Sequence, residues 1–239
     1  MGLTIHYALR SDAASEDEAR RLVEALRQRA LDLPFAKVGD LLEFRGRECD
    51  ADRHEHPGHR WLLVQAVRSV WPEEVHREVA PEQVIAFVTD PGEGCEPAHF
   101  GLCRFPQAIR EGGREVATGL SGWSWESFCK TQYASNPECG GIENFLRCHI
   151  SVVGLLDRAG RLGMTVEADD ESGFYDDRDV EALAAEVMRW NRGIAAFTGR
   201  LKDIFGDDFA AEITKYPNFE RLEAEGRRDR SGDSHEAEP

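Results

Sequence analysis

Apolar and polar residues alternate at the start of the chain, with Leu3, Ile5, Tyr7 and Leu9 set against Thr4, His6, Ala8 and Arg10. This is the period of a strand with one buried face. Ser15 and Glu18 then form a capping-box start, and Ala19, Leu22, Val23, Leu26 and Ala30 repeat at helical spacing until Pro34 stops them. Short apolar runs at 38–44, 61–67 and 84–88 predict three more strands. The Gly112-Gly113 pair between Ile109 and Val116 predicts a hairpin within 108–118. Segments 90–106 and 119–141 are rich in turn formers and read as long loops.

Two long helices follow. The first, about 141–162, carries Ile142, Phe145, Leu146, His149, Val152, Val153 and Leu156 on one stripe. The second, 177–205, places Val180, Leu183, Val187, Trp190, Ile194, Phe197, Leu201 and Ile204 three and four residues apart, with Asp176 or Asp177 to cap it and Gly206 to end it. The pattern predicts an α+β fold: a small, mostly antiparallel or mixed sheet with a ferredoxin-like β-α-β start, packed with helices, two of them long and C-terminal. A single domain is expected over 1–216. Beyond Pro217 the chain is almost devoid of apolar residues, which predicts a disordered charged tail over 217–239.

Composition narrows the function classes. The chain is 41% hydrophobic and 31% charged, with a net charge of −16. That balance predicts a soluble, acidic globule, and the acidic excess argues against nucleic-acid binding, which requires clustered cations. No apolar run approaches the ~20 residues of a membrane span. The first residues lack the pattern of a secretory signal, so a cytoplasmic location is expected, with the cysteines reduced.

Five of the six cysteines fall between 95 and 148. The stretch from Ser121 to Gly141 also sets Trp123, Trp125, Phe128 and Tyr133 among Lys130 and Gln132, a mixture of aromatic bodies and polar groups that suits a small-molecule pocket. Lys130 and Tyr133 are candidate proton-transfer residues, and His149, a polar ring within an apolar stripe, is the third. Trp123, Trp125, Cys95, Gln132 and Cys129 are the candidate ligand contacts. No metal is assigned, because Cys129, Cys139, Cys148 and His149 lack the close spacing of structural zinc sites. Asp169, Asp170 and Glu171 fail the EF-hand pattern, since Ala168 stands where its first ligand belongs; they read as a turn into the last helix. His54, His56 and His59 resemble in outline the His-x-His-x-Asp-His motif of the metallo-β-lactamase family, but Gly58 replaces its aspartate and no role is carried over.

Two functions follow as expectations. The first is a small-molecule-binding domain, catalytic or not, with its site in loops 91–141 and on the helix bearing His149; no cofactor is specified. The alternative is a non-catalytic protein–protein interaction module using the aromatic loops or the 177–205 seam. A monomer or homodimer fits either.

Overall fold

The computed structural model describes residues 2–71, 75–206 and 209–233, with side chains as far as residue 229. In chain order the elements are β1 (Thr4–Ser11), α1 (Glu16–Leu31), β2 (Lys37–Val38), β3 (Leu42–Arg45), α2 (Pro57–Ala66), β4 (Arg68–Val70), β5 (Arg77–Val79), β6 (Gln83–Asp90) and β7 (Ala98–Arg104). The hairpin β8 (Ala108–Glu111) and β9 (Arg114–Ala117) follows, then β10 (Trp123–Lys130), α3 (Gly141–Arg161), β11 (Thr165–Asp170), α4 (Phe174–Asp177), α5 (Val180–Phe205) and α6 (Phe219–Asp233). The main sheet runs β11-β1-β10-β7-β6-β2, with β3 also on β6, and all its pairings are antiparallel. This is the expected α+β class.

Both neighbours of β1 run antiparallel to it, so β10 and β11 are parallel to each other and joined through α3. The crossover unit is thus split around β1, later in the chain than the opening β-α-β that the sequence predicts. Helices α1 and α3 cover the face carrying Ile5, Tyr7 and Leu9, while α2 covers the other face over β10, β7 and β6. Among the described residues, the outer face of β11-β1-β10 is left partly open beside α2.

Several expectations are corrected. Segment 61–67 lies in a helix: Pro57 occupies its first turn, and Leu62, Leu63 and Ala66 face the sheet. A short apolar run carries no period of its own, and the proline favours a helix start. The supposed loops 90–106 and 119–141 contain β7 and β10, two central strands. β7 is buried along nearly its whole length, which erases the alternation of a half-exposed strand. Asp169 and Asp170 end strand β11, and the cap of α5 is Asp179, whose carboxylate accepts from Glu181 N and Ala182 N.

The tail expected to be disordered forms α6 over Phe219–Asp233 and packs on α5; residues 234–239 lie outside the described residues. A small core of Ala195, Ile213, Tyr216 and Leu222 holds this hairpin. The buried stripe of α5 includes Leu183, Val187, Asn191, Ala195 and Gly199, whereas Trp190 and Ile194 are half-buried and Phe197 is exposed. Small residues replace the large ones because the helices approach closely. A Cβ on Gly226 would stand 2.1 Å from the Arg192 carbonyl oxygen. Among the described residues, no helix is long and apolar enough to cross a membrane.

Two glycine substitutions should therefore act in opposite directions. Gly193→Ala, whose new methyl meets nothing within 4 Å, should gain about 0.5–1 kcal/mol from helix propensity alone. Gly226→Ala should lower the melting temperature despite the same propensity gain, because the two helices must part. Thermal unfolding of both variants checks this; an unchanged or raised Tm for Gly226→Ala would contradict the close crossing.

Candidate functional site

The best-defined polar assembly centres on His149. The apolar stripe of α3 turns its ring inward between Phe145 and Phe174, with ring centroids 5.4 and 6.0 Å away. Nδ1 lies 2.8 Å from Thr131 Oγ1, just past the end of β10. Nε2 donates to Asp170 Oδ2 at 3.0 Å, at the end of β11, and the Ser172 hydroxyl stands 3.1 Å from the same nitrogen. Asp170 Oδ2 also accepts Tyr175 N–H at 3.0 Å, while Oδ1 accepts the Ser172 N–H and hydroxyl at 2.9 and 2.8 Å.

Burial by itself would raise the Asp170 carboxyl. The hydrogen bond and charge of His149, with the bonds from Ser172, outweigh it and hold the group below its ordinary value. A hydroxyl, an imidazole and a carboxylate in line are the parts of an activated nucleophile. Here Thr131 and His149 are fully buried and the Asp170 side chain is 1% exposed, so a substrate has no approach to the hydroxyl. What the assembly does is tie β10, α3 and β11 together.

A second chain of bonds starts one residue on. Gln132, fully buried, accepts Leu3 N–H and donates to Asn191 of α5 at 3.0 Å. Asn191 donates to Ser135 Oγ at 2.9 Å, and that hydroxyl lies 3.1 Å from Tyr216 OH.

The other expected site residues are dispersed. Trp123 and Trp125 are buried along β10, and Trp125 Nε1 donates to the His99 carbonyl at 2.8 Å. Lys130 and Tyr133 do meet, with Nζ 4.6 Å from the ring centroid. Cys129 is buried and donates to the Glu96 carbonyl at 3.2 Å; burial pushes its thiol well up. Cys95 is half-buried, with its thiol 3.9 Å from the Thr131 carbonyl; the interaction with Cys95 draws the Cys148 thiol below its ordinary value against its burial, helped by Arg147, whose Nη2 lies 3.3 Å away. Arg147 also donates to the Pro34 and Pro91 carbonyls and to Asn144, binding α3 to the loop before β7. Of the residues expected to line one pocket, Trp123, Trp125, Cys129, Gln132 and His149 are therefore parts of a packed interior, while Cys95, Lys130 and Tyr133 are half-buried.

A concavity lies elsewhere, on the open sheet face. A shallow groove of about 590 Å³ runs between α2 and strands β11, β1 and β10, lined by His6, Ala8, Val64, Val67 and Phe128 together with Glu126, Glu167 and Asp169. Register sets it in rows: Asp169, His6 and Phe128 are cross-strand neighbours, and so are Glu167, Ala8 and Glu126. Val64, 43% exposed, forms its shoulder on α2.

Sequence reasoning missed Thr131, Asp170, Ser172 and this groove. The alternation at 3–10 did place His6, Ala8 and Arg10 outward, and Asp-x-Ser is a turn-forming pair whose carboxylate binds the backbone two residues on. Of the three histidines at 54–59, His56 and His59 stack with centroids 4.1 Å apart, and His54 meets His59 edge-on, beside Phe44. Among the described residues, no group of three or more His, Cys, Asp or Glu side chains is placed to hold a metal ion. Comparison of the chain with known protein families, with curated proteins and with solved structures finds no match.

His149→Phe keeps much of the apolar volume but leaves Thr131, Asp170 and Ser172 without their partner, so urea unfolding should show a loss of about 3–5 kcal/mol. Acid should act in two windows. His99 is buried with Nδ1 unpartnered, and desolvation pushes its pKa from 6.5 down to about 4. Between those values the unfolded chain takes a proton that the folded chain refuses, so stability falls as pH drops. Asp170, held below its ordinary 3.8, is likewise protonated first in the unfolded chain, so its contribution is lost at lower pH still. Urea midpoints measured against pH should lose the upper limb in His99→Leu and flatten in the lower limb in Asp170→Asn. A His99→Leu profile parallel to the wild type would contradict the assignment.

Proposed function

We propose that this protein is a non-catalytic interaction module that docks a partner protein in the groove between α2 and the outer face of β11-β1-β10. The observation that carries this reading is the groove itself, where exposed apolar side chains (Phe128, 38% exposed, and Val64) lie beside carboxylates on a sheet face that, among the described residues, α2 covers only in part. Small-molecule sites enclose most of their ligand, and this groove is too open for that; protein interfaces combine aromatic anchors with a polar rim. The alternative placement, a pocket between His149 and the tryptophans, has less support, because His149 sits at the Thr131 end of β10 while both tryptophans are buried further back along that strand, and the polar atoms of His149 and Trp125 are satisfied within the fold. The end of α5 also exposes Ile204 and Phe205, but it adjoins residues 207–208, which lie outside the described residues.

The test is a quantitative affinity capture that compares the wild type with Val64→Asp/Phe128→Ser and with Ile204→Ser as a surface control. A partner retained by the wild type and the control, lost with the groove variant, and bound again when purified, is the expected outcome. Partners that are unaffected by the groove variant would overturn the reading.

A further inference from the structure

The geometry points to an arginine side chain of a basic partner segment as the occupant of this groove, seated over Ala8 between Glu126 and Glu167 and flat against Phe128; we propose this as its recognition chemistry, resting on the interaction reading above. The register makes the seat. On the middle row Ala8 is the floor, and its two cross-strand neighbours are both glutamates. Strands about 4.8 Å apart place the Cα atoms of these glutamates ~9.5 Å apart across the sheet. A methyl floor between two longer carboxylates is a dimple open to solvent, and the span suits a planar cation bonded on both sides. One row along, Phe128 offers an aromatic face and Asp169 a third carboxylate, with His6 between them. Among the described residues the groove lining holds three carboxylates, two of them paired with arginines that stand at its margin.

These glutamates already bind guanidinium groups from within the chain. Arg10 makes a two-pronged pair with Glu167 at 2.9 and 3.2 Å, and Arg68 reaches Glu126 at 2.8 Å from the far side. Both carboxylates are thus held in position by a fixed cation, and each retains acceptor capacity beyond these bonds, since a carboxylate offers about four lone-pair sites. Arginine fits better than lysine because its planar fork bonds carboxylates in pairs and stacks on aromatic rings, whereas ammonium is a compact, strongly hydrated point charge. The net charge of −16 adds long-range attraction for a basic partner but no preference for this groove. The seat supplies the preference.

The experiment is fluorescence anisotropy with a short fluorescein-labelled peptide alternating serine and arginine, and with its citrulline counterpart, which keeps the shape of arginine and removes the charge. The proteins are the full-length wild type, Ala8→Leu, Glu126→Gln/Glu167→Gln, and Glu181→Gln/Glu220→Gln, which removes equal charge on α5 and α6; melting curves establish that each is folded. Saturable binding of the arginine peptide is expected, weakened about tenfold or more by Ala8→Leu and by the groove pair and nearly unchanged by the control pair, with the citrulline peptide weaker by a similar factor. Equal losses from both glutamate pairs would reduce the effect to diffuse attraction and overturn the proposal. So would the absence of saturable binding, or indifference to Ala8→Leu. Citrulline binding as tight as arginine, still abolished by Ala8→Leu, would overturn the arginine assignment and leave the groove as a docking site. Loss of the docking site itself is read separately, by partners that ignore Val64→Asp/Phe128→Ser.

Discussion

The buried pair His149–Asp170 is the constraint around which the rest of this fold is arranged. Taking an imidazole and a carboxylate out of water costs several kcal/mol unless every lone pair and proton finds a partner. Here the partners come from three separate places: Thr131 after β10, Ser172 and the Tyr175 N–H after β11, and His149 itself in mid-helix. The condition is met only when β10, α3 and β11 are all in place around β1. The network adds less to stability by its attraction than it forbids by its alternatives, because an arrangement that displaces one element leaves a polar group stranded. Gln132 extends the same condition to α5 through Asn191, and Ser135 to Tyr216, so the C-terminal hairpin is joined to the sheet by polar bonds as well as apolar packing.

That rigidity separates the two faces of the molecule. On the inner face, helices α1 and α3 fill the space over Ile5, Tyr7, Leu9 and Trp125, and the polar atoms around His149 close on one another. On the outer face, α2 is only ten residues long and covers part of the sheet. The strands whose positions the His149 network fixes are the same ones that carry His6, Ala8, Glu126, Phe128, Glu167 and Asp169 outward. A binding surface built on three strands locked from behind presents its side chains in a fixed grid, which limits the ordering cost of association.

How much of this was legible in the sequence depends on whether the signal was local. The alternation at Leu3–Leu9, the Ser15 cap, the Gly112-Gly113 hairpin and the long stripe of α3 each report an element through its own period, and each element is there. β7 was hidden because burial on both faces removes alternation, and α6 because its contact depends on Gly226 approaching a backbone carbonyl rather than on apolar bulk. His149 was conspicuous as a polar ring within an apolar stripe. Asp170, 21 residues away, was not, because nothing near it in sequence marks it as that ring's partner. The groove was less visible still. Its rows exist only through the register among strands that begin at residues 4, 123 and 165.

β11 is an edge strand of the main sheet, and edge strands invite pairing with the edge of another molecule. Asp170 points inward on that edge, and side-chain direction alternates with each residue, so a slip of one residue along β1 would turn Asp170 out and drive Asp169 into the core, where Val166 and Ala168 now have their faces. A foreign strand that displaced β11 would face the same unmet imidazole without a carboxylate to offer. The aspartate that closes the interior therefore also holds the outermost strand to one register on β1, and makes its place there hard for another sequence to take.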